Sequence, residues 1–161
     1  MQSALMTPRR ATDPALWPPM LALLREAFAF MEGRIDPPSS LRDLTAEVLS
    51  AQALAGEIWI IDGADAGIAA CIVLTPKPEG LYLGKLAVAG AHRGQGLARR
   101  LVDVAEARAR EMGLAALELQ TRVELVENQA AFRAMGFVEV GRTAHAGYER
   151  PTSITYRRLV A

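Results

Sequence analysis

The chain has 161 residues, enough for one domain with a sizeable core and too few for two comfortable ones. Apolar residues make up 51% and charged residues 22%, the balance of an ordinary soluble protein, and eighteen basic side chains cancel eighteen acidic ones, which argues against a nucleic-acid or membrane partner. Cys71 is the single cysteine, so no internal disulfide forms, and its apolar run over residues 68–74 marks a core thiol rather than a nucleophile.

The two histidines, His92 and His145, have neither the spacing nor the company of a metal site, and no metal is expected. The N-terminus lacks the continuous apolar stretch of a signal peptide, and no apolar run approaches the ~18 residues that span a bilayer. A cytoplasmic location is the expectation.

In chain order, residues 4–7 favour a short first strand. Asp13-Pro14 starts a helix, and Pro18-Pro19 restarts or kinks it. Leu21, Leu24, Phe28 and Met31 then fall on one helical face that ends near Gly33. After the Pro37-Pro38 break, Ser40 with Asp43 reads as a capping pair opening a second helix, with Leu41, Leu44 and Val48 on one side and Gly56 at its end. Two strands follow, 57–61 and 68–74, joined by a glycine-rich turn that predicts a hairpin. A third strand, 81–89, alternates unevenly around Gly84, the mark of a bulge or bend. Residues 97–112 form a long helix stopped by Gly113, and 114–120 alternate as a strand. Strand, helix, strand is a crossover unit, so 81–89 and 114–120 should run parallel. A short helix over 127–135, stopped by Gly136, and two strands, 137–143 and 153–159, complete a mixed sheet.

Between the third strand and the long helix stands Arg93-Gly94-Gln95-Gly96-Leu97-Ala98. Two glycines allow a tight turn and close approach to a ligand. The helix behind them offers unpaired N–H groups and the positive end of its dipole, so a pyrophosphate or similar anion is the expected guest. The loop is not a P-loop, since no Gly-Lys-Ser/Thr run exists, and Arg99 takes the third glycine position of a dinucleotide fingerprint. The pattern Arg-x-x-Gly-x-Gly/Ala, filled by Arg93, Gly96 and Ala98, resembles motif A of the GCN5-related N-acetyltransferase (GNAT) superfamily. The run from Asn128 to Phe137, with Asn128, Phe132, Gly136 and Phe137 at the defined positions, resembles its motif B. The likeness covers residues 56 to 160.

The resemblance implies the GNAT fold, an α/β (α+β) architecture in a single domain over residues 1–161. Its mixed, mostly antiparallel sheet carries about four flanking helices, and its parallel strand pair splays into a V-shaped acetyl-CoA cleft. The implied activity is an acetyl-CoA-dependent N-acetyltransferase that acts on a primary amine of a small molecule or peptide, by direct attack in a ternary complex. Leu86, Ala87 and Val88 would line the cleft, with the N–H of Val88 or its neighbour polarising the acetyl carbonyl. Arg93, Gly94, Gln95, Gly96, Leu97 and Ala98 would hold the pyrophosphate, chiefly through main-chain N–H groups, with Arg99 or Arg100 within reach of the 3′-phosphate. Asn128 would bond the pantetheine arm, unless it is simply a helix N-cap. The segment 31–38 would shape the acceptor pocket, with Glu32 and Arg34 as recognition groups.

Phe132 departs from the family pattern, which places there a tyrosine that protonates the leaving thiolate. A thiol of pKa ~8.5 leaves well enough unaided that turnover need not vanish. Tyr148 is the candidate replacement, with His145 and Tyr156 as alternatives. The attacking amine must be neutral, which requires a base or a desolvated pocket, and Glu32, Asp36 and Glu57 are candidate bases. Two other readings stay open: a non-catalytic acyl-CoA-binding or regulatory domain, motivated by Phe132, and a Rossmann-type nucleotide-binding enzyme resting on Gly94 and Gly96 alone. No local feature selects the acceptor, and an uncovered sheet edge or helix face leaves homodimerisation open.

Overall fold

The computed structural model describes residues 7–161, so the strand expected over 4–7 falls almost wholly outside the described residues. The chain runs β1 (Arg9–Arg10), α1 (Trp17–Phe28), α2 (Ala46–Ala55), β2 (Glu57–Asp62), β3 (Ile68–Lys77), β4 (Gly80–Val88), α3 (Leu97–Glu111), β5 (Ala116–Arg122), α4 (Val126–Ala134), β6 (Val138–Thr143) and β7 (Ser153–Leu159). The strands form one sheet in the order β1-β2-β3-β4-β5-β7-β6. Among the described strands only β4 and β5 pair in parallel, as the crossover through α3 requires.

The sheet is covered on both faces, which is why its central strands read as apolar runs. Ala70, Ile72 and Leu74 of β3 pack into the core under α3, while Cys71 and Val73 pack into the core under α1. Helix α3 contributes Leu97, Leu101, Ala105 and Ala109 at four-residue spacing, the stripe that an amphipathic helix turns inward. Gly113 closes α3 in the left-handed region, φ 73°, and the Leu114 N–H bonds back to the Ala109 carbonyl at 2.9 Å. That closure delays β5 to Ala116, two residues later than the alternation suggests. Among the described residues no helix is long and apolar enough to cross a membrane, and no group of histidine, cysteine, aspartate or glutamate is placed to hold a metal ion.

The second helix differs from expectation. Ser39 caps a short 3-10 turn over Ser40–Asp43, Leu44 is extended, and α2 begins only after Thr45, whose hydroxyl accepts from the Val48 N–H at 3.3 Å. The later start rotates the apolar face, so Leu49 is buried and Val48 is exposed. Gly56 ends the helix as anticipated; a Cβ there would meet the Leu74 carbonyl oxygen at 2.1 Å.

Glu57, considered above as a base, is instead a structural anchor at the head of β2. Its carboxylate receives a two-pronged bond from Arg108 of α3, at 2.9 and 2.7 Å, and the Trp59 indole N–H at 2.9 Å. Its side chain is only 7% exposed. The Arg108 guanidinium holds the carboxyl below the usual carboxylate range, against the burial that pushes it up, with Trp59 and Arg10 assisting Arg108. Glu57→Gln is expected to cost about 2 kcal/mol at pH 7, because Arg108 and the indole lose their charged acceptor. A carboxyl depressed in the folded state stabilises above its unfolded value near ~4.3 and loses that contribution as pH falls through the folded value. Urea midpoints of wild type and variant should therefore differ at pH 7 and converge in acid.

Candidate active site

Two features of β4 create the site. Leu81 and Tyr82 pair with Leu117 and Glu118 of β5, and there the parallel ladder stops. Beyond it β4 stays paired with β3 as far as Val88, while β5 stays paired with β7 as far as Arg122. The two strands thus part into a wedge. The second feature is the bulge anticipated near Gly84: Val73 opposes Gly84 and Cys71 opposes Ala87, so Ile72 faces two residues, Lys85 and Leu86. Lys85 adopts φ 51° at this bulge.

The wedge leaves backbone groups of β4 unused by the sheet. The Ala89 N–H donates to the Ala69 carbonyl at 2.8 Å, across to β3. Alternation along an antiparallel pair turns the Val88 N–H the other way, toward β5 and the opening. Below the wedge mouth, Gly94 and Gly96 lie in the left-handed region at φ 78° and 76°. A Cβ at either would meet nothing within 4 Å, so glycine is required by backbone conformation rather than by crowding. Helix α3 opens directly behind them with no side-chain cap and no acidic residue in its first turn. Its first N–H groups and dipole therefore point at the loop without internal compensation.

Two cavities meet in the wedge. One, of about 450 Å³, lies between β4, the loop and α4, and takes in Leu86, Ala87, Val88, Arg93, Ala98 and Asn128. The other, of about 330 Å³, passes between β4 and β5 and is bounded by Tyr82, Lys85, Gln120, Arg122, His145 and the 31–41 segment. Leu86, Phe28, Asn128 and Phe132 line both, so the two spaces are continuous at the point where β4 leaves β5. Their volumes fall in the range of small-ligand sites.

The predicted residues distribute as follows. Leu86, Ala87, Val88, Arg93, Ala98, Asn128 and Phe132 converge on the first cavity. Gly94, Gln95 and Gly96 form the exposed turn at its edge, and Leu97 is buried in the core, which leaves only its backbone for a ligand. Asn128 is not the N-cap of α4, a position held by Leu125; it sits in the first helical turn, and the Gln129 amide, donating to the Arg122 and Val123 carbonyls at 3.2 and 2.9 Å, ties the helix to β5. Phe132 stacks edge-on to Phe137, with centroids 6.1 Å apart, and holds an apolar wall. Tyr156 is wholly buried, its hydroxyl accepting from Arg133 at 3.3 Å.

The acceptor-side candidates form a clasp rather than a lining. Arg34 bonds Glu127 of α4 at 2.8 Å and holds that carboxyl down at about 2, while Glu32 is exposed and lines neither cavity. Tyr148 donates to Asp36 at 2.5 Å, which raises its own pKa, and Arg150 reaches the other oxygen of Asp36 at 3.2 Å. Arg122 completes the clasp by donating to the Pro37 and Pro38 carbonyls at 2.6 and 3.3 Å. His145 does line the second cavity, with Nδ1 against the Thr152 hydroxyl. Sequence reasoning missed Tyr82, Lys85 and Arg122. A lysine inside a strand beside an anticipated bulge was the one available signal.

A splayed parallel pair, a glycine loop opening an uncapped helix, and a cavity running from that loop through the sheet form a cleft whose loop end suits a phosphate and whose far end opens on a second pocket. Residues 17–137 match the model of the Acetyltransferase (GNAT) family, and the chain belongs to that family. It is 32% identical over 108 residues to rat N-acetyltransferase family 8 member 2, an alignment covering 64% of this chain and 46% of that protein. It thus spans about half the length of the curated relatives it matches. Among solved structures, a GNAT-family acetyltransferase from Staphylococcus aureus superposes with a TM-score of 0.77 at 16% identity, over 97% of this chain and 99% of that one. The ribosomal-protein-S18-alanine N-acetyltransferase of Escherichia coli gives 0.69 at 16% identity, over 96% and 95%. These likenesses establish the GNAT fold.

Proposed function

We propose that the protein is an acetyl-CoA-dependent N-acetyltransferase that transfers the acetyl group directly to a primary amine while both substrates are bound. The observation that carries this reading is the continuity of the two cavities at Leu86, Asn128 and Phe132, where the loop-side ligand and an acceptor would meet. Acetyl-CoA supplies the thioester. The turn at Gly94 and Gly96 and the first N–H groups of α3 hold its pyrophosphate, and Arg93 adds positive charge. Asn128 bonds the pantetheine amides. The Val88 N–H points to the acetyl oxygen, stabilising the negative charge that builds there. The amine nitrogen forms a bond to the carbonyl carbon, the carbon–sulfur bond breaks, and the proton lost by nitrogen ends on the thiol.

Direct transfer, without an acetylated enzyme, is supported by Cys71. It is wholly buried, and burial pushes its thiol up to about 12, so no thiolate is available to attack. Cys71→Ala is expected to keep kcat within about threefold of wild type, the modest effect of a small core change away from the reacting atoms. An acetyl adduct on intact wild-type protein, absent from the variant, would overturn direct transfer.

The test of the activity is release of CoA thiol from acetyl-CoA across amines, amino acids and peptides, beside a calorimetric titration with acetyl-CoA. Turnover with saturable binding is expected. Phe132 favours one other reading, a domain that binds acyl-CoA without catalysis, and binding without turnover on any acceptor would establish it. Failure to bind acetyl-CoA would remove both.

A further inference from the structure

The second cavity has a one-sided charge pattern. Among the described residues, its charged lining side chains are Lys85 and Arg122, joined by the imidazole of His145, and no aspartate or glutamate lines it. Arg122 is committed to neutral partners, the carbonyls of Pro37 and Pro38, and to the distant fields of Glu124 and Asp36. Lys85 is not: among the described residues no carboxylate acts on its half-buried ammonium, and burial lowers its pKa. A lysine desolvated in this way and left without a counter-charge is costly unless something else neutralises it. In the same cavity, the Thr121 hydroxyl is buried and has no hydrogen-bond partner among the described residues. The cavity's apolar lining comes from Phe28, Met31, Ile35, Leu41, Leu119 and Leu125.

Resting on the acetyltransferase reading, we propose that the acceptor is an α-amino carboxylate with an apolar side chain, and that Lys85 binds its carboxylate. Position supports this choice. Lys85 lines the second cavity and directly precedes Leu86, which lines both cavities, so an anion held by Lys85 would lie near the junction where an amine meets the thioester. An α-amino acid has that short separation; a long diamine has a second cation where the cavity already holds one. The same charge assists the chemistry, because a fixed cation beside an ammonium favours its neutral, nucleophilic form. The cavity then needs no lining carboxylate as base. The apolar lining receives the side chain, and Thr121 offers a polar contact to the bound acceptor.

The test is steady-state kinetics on the full chain with L-leucine and L-phenylalanine against their carboxamides and against putrescine, for wild type, Lys85→Gln, Lys85→Met and Lys85→Arg. The expected result is a preference of at least about tenfold in kcat/KM for the acids, carried mainly by KM. That preference should be lost in the glutamine and methionine variants and largely kept in the arginine one. Carboxamides or putrescine used as well as the acids would overturn the proposal. So would a uniform loss of kcat on every acceptor in all three variants, which would make Lys85 a proton acceptor instead. A second arm measures binding of N-acetyl-L-leucine against N-acetyl-L-leucinamide to the CoA-saturated protein. A Lys85-dependent preference for the acid without turnover would sink the transferase reading alone. Equal binding of the two would sink the carboxylate site whatever the turnover.

Discussion

Replacing Val88 with proline is expected to lower kcat by about 10²–10³ while acetyl-CoA affinity changes far less, the scale seen when one oxyanion donor is removed. The substitution is selective because of where the Val88 N–H points. Its neighbour Ala89 supplies the bond to Ala69 on β3, at 2.8 Å, so proline at Val88 deletes no ladder bond. It deletes the donor facing the wedge. Val88 is also the last residue of β4, where a fixed φ is best tolerated. Val88→Ala, which keeps the N–H and trims only the side chain, should retain most turnover. Melting curves and calorimetry would accompany the rates. A proline variant that folds and turns over like wild type would place the stabilising donor elsewhere.

Gly96→Val should separate affinity from stability. A Cβ at Gly96 collides with nothing, so the cost to the folded protein is bounded by the strain of a non-glycine residue at φ 76°, about 1–2 kcal/mol, and the turn can shift to relieve it. The ligand loses more. Valine draws the turn out of the left-handed region and turns its N–H groups off the phosphates, and the dissociation constant for acetyl-CoA should rise by about 10²-fold or more, several charge-assisted bonds being lost together. Gly96→Asn, a residue that tolerates the left-handed region, should recover much of the affinity. If both variants bind as wild type does, the phosphates lie away from this loop. If asparagine fails as completely as valine, contact with the added side chain rather than backbone geometry is responsible.

Much of this molecule could be read from local pattern. The glycine turn before α3 was legible because glycines at positive φ and an uncapped helix start leave marks within six residues. The bulge at Gly84 was legible because it breaks alternation, and the parallel pairing of β4 with β5 because a helix joins them. What escaped was decided by distant contacts. Nothing local places β7 between β5 and β6, since register across a sheet is set by partners the strand has not yet met. Val48 and Leu49 are equally apolar, and only the cap at Thr45 turns the second of them inward. Lys85 and Arg122 look like solvated charges in the sequence, and Glu57 like a candidate base. Their roles arise where chain segments meet, as when Arg122 reaches the carbonyls of Pro37 and Pro38.

The short ladder between β4 and β5 has a mechanical meaning. Two residue pairs join a four-stranded leaf, β1 to β4, to a three-stranded leaf made of β5, β7 and β6. The sheet is a book opened at its spine, and the cleft lies between the pages where further rungs of the ladder would have been. A ligand bonded to Val88 on one leaf and Asn128 beyond the other would supply the missing rungs. Occupancy of the cleft would then add to the sheet's cohesion, beside the core through which α3 already packs against both leaves.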